Sequence, residues 1–262
     1  MGKKLNDIQK TRSRWDERAD RYDGYYQVFK GAVEQYVEWE LLKSHLPADK
    51  GARILDAAGG TGRMTVLLAK IGYPISLCDL SFKMLQAAKR KLHKEGLLDK
   101  VTISQGNVFQ LPFPKEYFDF VLCWGGEISA IEELARVTKK KGRISLCLAG
   151  RSGVALNEFH KNPQEALALL TAKSDYCRYE DEKYRVFNAA EVETFIEKAG
   201  VHITGIYAYN FWNILFIPEE VLNSPKWEAK FFKQTTELML RLAKDPAVRG
   251  VSKHLMLYGE KN

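Results

Sequence analysis

The 262-residue chain holds only four cysteines, five histidines and eight prolines. No cysteine pair has C-x-x-C spacing and nothing resembles a zinc ligand set, which excludes a disulfide scaffold and a zinc centre of the usual kind. Cys78, Cys123 and Cys147 sit in short apolar runs, where a free thiol behaves as a small hydrophobe, while Cys177 lies in a polar stretch. No apolar run approaches the ~20 residues a membrane-spanning helix needs. Met1 to Asp20 is polar and basic, without the apolar core of a signal peptide. These absences predict a cytoplasmic protein with no membrane association. Charge of one sign is scarce too: 40 Lys+Arg against 33 Asp+Glu leaves +7. That excess permits an acidic partner, nucleic acid included, yet solubility alone explains it.

What is present has a clear order. Lys3 to Leu46 reads as helical, with aromatic and apolar residues near helical spacing and breaks expected at Gly24 and Gly31. From Ala52 strands alternate with helices. Strands are predicted at 53–57, 74–78, 101–104, 118–123 and 143–148, with helices at 61–71, 81–93 and 128–138. Continuous rather than alternating apolar strands joined by helices point to a parallel sheet buried on both faces, hence a doubly wound α/β domain. Gly150 to Lys183 interrupts the alternation, with helix formers from Pro163 to Lys173. A helix at 189–199, a long extended segment at 201–217, an amphipathic helix at 224–243 and a last strand at 254–258 follow. The expectation is one domain of 1–262: a helical cap (1–50), a cofactor-binding core (51–149), an acceptor-side insert (150–183) and the rest of the sheet (184–262).

The most informative run is Ile54-Leu55-Asp56-Ala57-Ala58-Gly59-Gly60-Thr61-Gly62. A strand ends near a carboxylate, and a glycine-rich turn opens a helix, at the sheet edge where α/β proteins bind ligands. The dinucleotide fingerprint G-x-G-x-x-G fails at Thr65, and the Gly-Lys-Ser/Thr of a Walker loop is absent. A carboxylate beside the loop suits a cationic ligand better than a phosphate. The second strand ends in Cys78-Asp79-Leu80, and an acid there can accept hydrogen bonds from both ribose hydroxyls. Gly106-Asn107-Val108 follows the third strand, where an amide and backbone can read an adenine edge. A nucleoside with a cationic tail and no phosphate is S-adenosyl-L-methionine.

On these motifs, ILDAAGGTG (54–62), CDLSFKML (78–85), GNVFQLPFPKEYFDFVLC (106–123) and ELARVTKKKG (133–142), the chain resembles the class I S-adenosylmethionine-dependent methyltransferases. The resemblance implies a Rossmann-like, seven-stranded sheet whose last strand is antiparallel, with a helical cap and an insert after strand 5. It also implies a cofactor site of Tyr22, Asp56, Ala58, Gly60, Gly62, Asp79, Leu80, Met84, Asn107, Val108 and Cys123, with no metal. Within the superfamily the likeness is nearest to the tRNA 5-carboxymethoxyuridine methyltransferases and the quinone-type enzymes.

Three departures stand out. Ala58 replaces the family's first loop glycine, Asn107 replaces the adenine-binding acid, and Cys123-Trp124-Gly125-Gly126-Glu127 replaces the usual Leu-His-His segment. Tyr22, Tyr25 and Tyr26 either close over the cofactor or anchor their helix in the core. Glu127 either orients an acceptor or caps the next helix. His160 is a candidate base or a solvated loop residue. Tyr176, Tyr179, Tyr184, Tyr207, Tyr209, Phe211 and Trp212 form either an aromatic acceptor pocket or strand core. Lys139-Lys140-Lys141 reads as a solvated turn. The expected activity is methyl transfer to an oxygen or nitrogen of a small molecule. A tRNA acceptor and a non-catalytic cofactor-binding module are the alternatives. Asp175, Glu180, Asp181 and Glu182 in the insert argue against tracking of RNA phosphates.

Overall fold

The alternation read from residue 52 onward is realised in a computed structural model that describes residues 2–125, 128–171, 176–179, 182–212 and 215–262. The chain divides into two compact units. The first comprises residues 1–25, 46–144 and 261, the second 26–45, 145–260 and 262. In chain order the α-helices are α1 Gly2–Arg18, α2 Phe29–Lys43, α3 Arg63–Lys70, α4 Phe82–Lys94, α5 Ile131–Val137, α6 Arg151–Glu158, α7 Pro163–Leu170, α8 Ala189–Glu197, α9 Glu219–Leu222, α10 Ala229–Lys244 and α11 Pro246–Arg249. The strands are β1 Ile54–Ala57, β2 Ile75–Asp79, β3 Val101–Gln105, β4 Phe118–Cys123, β5 Thr138–Gly150, β6 Tyr176–Tyr179, β7 Glu182–Phe187, β8 Val201–Tyr209 and β9 His254–Lys261.

In the first unit the strands lie in the order β3-β2-β1-β4, followed by the opening residues of β5. The pairs β1–β2, β1–β4 and β2–β3 are parallel, in registers such as Asp56 with Leu77 and Asp79 with Gln105. Tyr117 N–H donates to the carbonyl of Val137 at 2.9 Å, so β4 and β5 start side by side and run parallel. Ile54, Leu55, Leu77, Phe118, Phe120 and Leu122 are buried, as continuous apolar strands covered on both faces must be. Helix α4 shows how the layer is built. Ser81 caps it by accepting from Met84 N–H, and Met84, Leu85, Ala88 and Leu92 form its buried stripe. Lys91 and Lys94 lie in its last turn, where cations interact favourably with the helix dipole.

The second unit contains the remainder of β5, with β9 pairing both β5 and β8. Lys253 N–H donates to Asn210 at the start of β9, and Asn262 N–H donates to Gly200 at its end. This end-to-start arrangement makes β9 antiparallel to β8. Gly150 beside Lys253, with Lys261 Nζ on the Thr138 carbonyl at 2.8 Å, makes it antiparallel to β5 as well. The seven strands β1–β5, β8 and β9 are those the resemblance implies.

The antiparallel hairpin β6–β7 is added to them, β7 pairing with the end of β5 through Val186 and Phe187. It occupies a stretch in which the sequence suggested no strand. Helix α6 was also unforeseen. Gly153 sits within it because a Cβ there would meet the Ser252 carbonyl oxygen at 2.0 Å, so close packing overrides glycine's poor helix propensity.

Three further expectations are corrected. Gly31 does not break the N-terminal helical region but lies buried inside α2. The break falls at the 3-10 segment Tyr22–Gln27. Strand β8 stops at Tyr209 rather than running to Ile217. The lysine run is not a turn outside the sheet: it lies within β5, where Lys139 pairs with Asp119 at 2.5 Å.

Candidate cofactor site

The site is built at the carboxyl ends of β1 and β2, in the first unit. Asp56 is on β1 and 3 % exposed. Its Oδ2 accepts a 2.6 Å hydrogen bond from Thr65 of α3, a fully buried hydroxyl. Burial raises the Asp56 carboxyl to about 6, against the smaller opposing effects of the Thr65 bond and the Arg63 charge. A carboxylate so placed, hydrogen-bonded to a hydroxyl, gains from any cation that enters.

The loop that follows needs left-handed backbone at three places: Ala58 (φ 53), Gly60 (φ 57) and Gly62 (φ 70). Gly59 needs its missing side chain for another reason. A Cβ there would stand 2.5 Å from both Cγ of Asp56 and Cδ1 of Leu77.

The direction of the loop's N–H groups decides what it can hold. Gly59 donates to the Cys78 carbonyl at 3.3 Å and Gly62 to the Gly59 carbonyl at 2.9 Å. Gly60 donates to Oδ2 of Asp79 at 2.8 Å. A phosphate cradle requires such groups to converge on an anion. Here three of them are spent on the protein itself, one of them on a carboxylate. Through these groups the loop ties β1 to β2.

Asp79 ends β2, and its Oδ1 accepts from Ser81 N–H at 2.8 Å. Burial raises its pKa against backbone bonds from Ser81, Gly60 and Leu80, and Asp16 adds to the rise. An ionised carboxylate has about four acceptor sites, so Asp79 can still accept from a ligand hydroxyl.

The other residues singled out from sequence gather around this pair of acids to different degrees. Met84 is buried in the first turn of α4, its sulfur 3.9 Å from a Cβ built on Gly60. The Leu80 carbonyl accepts from Gln105 at 2.9 Å. Asn107 and Val108 are half-buried in the turn after β3. Asn107 Oδ1 accepts from Phe109 N–H at 3.0 Å, which leaves the carboxamide N–H side to a base. Gly106 is pinned there because a Cβ would stand 2.8 Å from the Cys78 sulfur. Cys123 is buried at the end of β4. Gly125 crosses the loop closely enough that a Cβ would approach the Ala58 carbonyl oxygen to 2.9 Å.

Sequence reasoning passed over three carboxylates of the N-terminal segment. Asp16 Oδ1 accepts from Ser81 Oγ at 2.6 Å and from Lys83 N–H at 3.0 Å. Asp23 accepts from Thr61 Oγ1 at 2.7 Å and pairs with Lys91 at 2.8 Å. Asp20 reaches Arg90 at 3.4 Å on the exposed surface. Their i, i+4, i+7 spacing was the available signal. Tyr22 is half-buried beside them, edge-on to Trp15 at a 6.0 Å centroid distance.

Two candidates for chemistry fare differently. Glu127, with Gly126, lies outside the described residues. His160 is exposed in the turn between α6 and α7. In the second unit, Tyr209, Phe211 and Trp212 are buried. The Tyr209 hydroxyl and Trp212 Nε1 both donate to Glu34, at 3.3 and 2.7 Å, while the Tyr207 hydroxyl and Nε2 of His45 are 3.1 Å apart. These four aromatics make core contacts. The side chains of Tyr176, Tyr179 and Tyr184 lie outside the described residues. Among the described residues no helix is long and apolar enough to cross a membrane.

Comparison with known proteins bears on the same stretch of chain. Residues 54–142 match the methyltransferase domain family. This segment is thus similar to methyltransferase domains. The chain is 33% identical over 136 residues to the ubiquinone/menaquinone biosynthesis C-methyltransferase UbiE of Stutzerimonas stutzeri, covering 48% of this chain and 52% of that one. It is 33% identical over 141 residues to the demethylmenaquinone methyltransferase of Thermobifida fusca, covering 51% and 58%. The chain thus spans about half the length of the curated relatives it matches.

Two solved structures share the fold of this chain. A SAM-dependent methyltransferase of Thermotoga maritima superposes with a TM-score of 0.61 at 18% identity, covering 95% of this chain and 98% of that one. One from Methanosarcina mazei gives 0.58 at 15% identity, covering 84% and 96%.

Proposed function

We propose that the chain is an S-adenosyl-L-methionine-dependent methyltransferase acting on a small-molecule acceptor. The observation that carries this reading is the glycine loop in which the N–H groups of Gly59, Gly60 and Gly62 bond within the protein, set between two buried carboxylates, Asp56 and Asp79. That set repels phosphate and suits a nucleoside with a cationic tail.

In this reading Asp79 holds the ribose hydroxyls and Asp56 offsets the charge of the tail. Asn107 and Val108 meet the adenine edge, with Leu80 and Met84 beside it. Ala58, Gly60 and Gly62 bring the backbone close to the methionine portion, flanked by Cys123 and Tyr22. When bound, the sulfonium supplies a methyl group already activated for transfer. The protein's remaining task is alignment, and holding reactants in near-attack geometry is worth on the order of 7–11 kcal/mol. A dedicated base is needed only for an acceptor protonated at neutral pH.

The relatives named as quinone C-methyltransferases favour a small molecule over RNA, and they extend the expected oxygen or nitrogen nucleophile to an electron-rich carbon. The test is incubation of the protein with methyl-labelled cofactor and an extract of its source cells, followed by fractionation. Label in a low-molecular-weight product, whose carbon spectrum then shows an O-, N- or C-methyl, supports the reading. Label confined to RNA, or no binding of S-adenosylhomocysteine at millimolar concentration, overturns it.

A further inference from the structure

The residues before Gly24 are fixed to the first unit by side chains the cofactor reading does not use. Asp16 and Asp23 sit seven positions apart, across the end of α1 and the start of the 3-10 segment. Their partners fall at the two loops that build the cofactor site. Asp16 accepts from Ser81 Oγ, and Ser81 N–H donates in turn to Asp79. Asp23 accepts from the hydroxyl of Thr61, a fully buried residue of the glycine loop. Lys91 of α4 closes this second contact, reaching Asp23 at 2.8 Å and Thr61 Oγ1 at 3.3 Å.

Both contacts are charge-assisted, and such bonds are about twice as strong as neutral ones. Asp20 offers an internal contrast. It lies between them but meets Arg90 at 3.4 Å, with the side chains 90% and 65% exposed, a geometry that contributes little.

We propose that residues 2–25 form a strap and that Asp16 and Asp23 latch it onto the Ser81 and Thr61 loops, making them positioning residues for the cofactor. The inference rests on the cofactor reading above. Neither carboxylate is assigned contact with the cofactor. Each acts through a loop: Asp23 fixes the hydroxyl side of Thr61, and Asp16 fixes the turn whose N–H orients Asp79. A cofactor lodged between these loops holds both in the geometry the latch requires. Binding and latching therefore support each other, as two events that order the same segment must.

The strap contains several tryptic sites, Arg12, Arg14, Arg18 and Arg21 among them, which report its docking directly. Asp16→Asn, Asp23→Asn and Asp20→Asn are compared by limited trypsin cleavage with and without S-adenosylhomocysteine, and by calorimetric titration of that ligand. Ligand-free Asp16→Asn and Asp23→Asn should be cut in the strap several-fold faster than wild type, with Asp20→Asn unchanged. The ligand should slow cleavage in wild type, protect the two latch variants less, and bind them about tenfold more weakly, the loss expected for one charge-assisted bond. Lys91→Met combined with Asp23→Asn should be no worse than the stronger single variant, which separates loss of one latch from general unfolding.

Equal cleavage of all three variants without ligand overturns the latch. A latch that opens faster in the variants but leaves ligand affinity and protection unchanged overturns the positioning role. Wild type that binds no ligand overturns the cofactor reading, while the ligand-free cleavage rates still judge the latch.

Discussion

The backbone N–H of Gly60 and the Oδ2 of Asp79 are 2.8 Å apart, so the carboxylate expected to receive ribose also fixes the loop that receives the methionine portion. One side chain thus has a structural and a recognition role, and two substitutions separate them. Asp79→Ala leaves the N–H groups of Gly60 and Ser81 without their acceptor, at a cost of about 1–3 kcal/mol each when buried. Asp79→Asn retains one acceptor oxygen and removes a charge disfavoured by burial. Urea unfolding should show Asp79→Ala destabilised more than Asp79→Asn, in which one of the two N–H groups loses its acceptor. Titration with S-adenosylhomocysteine should show both weakened tenfold or more.

Ala58 and Gly59 should respond to exchange in opposite directions. Ala58 holds φ 53, a left-handed conformation that costs a residue with a Cβ about 1–2 kcal/mol. Ala58→Gly removes that cost and gives back about 0.4–1 kcal/mol through the freer unfolded chain. A net gain of about 0.5 kcal/mol should raise the Tm by about 1–2 °C. Gly59→Ala instead drives a methyl to 2.5 Å from Asp56 and Leu77, an overpacking that costs about 1–3 kcal/mol. Calorimetry on the two variants decides the sign of each.

The parallel core was legible because its strands are uniformly apolar and its turns are marked by glycine. Predicted and observed limits of β1 to β4 differ by a residue or so, and the Asp56–Gly62 loop lies where its pattern placed it. Failures cluster where a local rule is overridden by a distant partner. Lys139 looked solvated because its counter-charge, Asp119, is twenty positions away on β4. Gly153 in α6 is explained only by Ser252, whose backbone packs on it. The hairpin of β6 and β7 has too few residues, and too many charges, for alternation to announce it. The latch carboxylates were hidden for a similar reason: Asp16 and Asp23 resemble any exposed helix acid until Ser81 and Thr61 are brought to them.

Asp56 makes cofactor affinity depend on pH. Its carboxyl titrates at about 6 instead of 3.8, so between these values the folded protein keeps a proton that the unfolded chain has lost. The stability this contributes is complete below 3.8 and disappears as pH rises through 6. A cationic ligand prefers the carboxylate and must displace that proton at low pH. Affinity for S-adenosyl-L-methionine should therefore rise between pH 5 and 7, approaching tenfold per unit below 6, and level off above. Asp56→Asn should bind weakly throughout and lose most of the pH dependence. A flat wild-type profile would show that Asp56 does not meet the cation.

His254 gives the second unit an opposite response to acid. It opens β9 beside Tyr209, the ring centroids 6.0 Å apart, and its Nδ1 is buried with no hydrogen-bond partner among the described residues. Burial, reinforced by the Lys253 and Lys30 charges, lowers its pKa to about 3. Below about 6.5 the unfolded chain gains a proton that the folded protein refuses, so the stability this neutral imidazole allows is complete above 6.5 and is lost as pH falls toward 3. One such group changes stability by about 1.4 kcal/mol per pH unit, or about 2 kcal/mol between pH 6.5 and 5. Asp56 works in the other direction over part of this range, so the difference between two proteins is the quantity to read. Urea midpoints of wild type and His254→Gln, measured at pH 7.5 and pH 5, should show wild type losing about 2 kcal/mol more than the variant on acidification. Equal losses in the two proteins would mean that His254 protonates freely in the folded state.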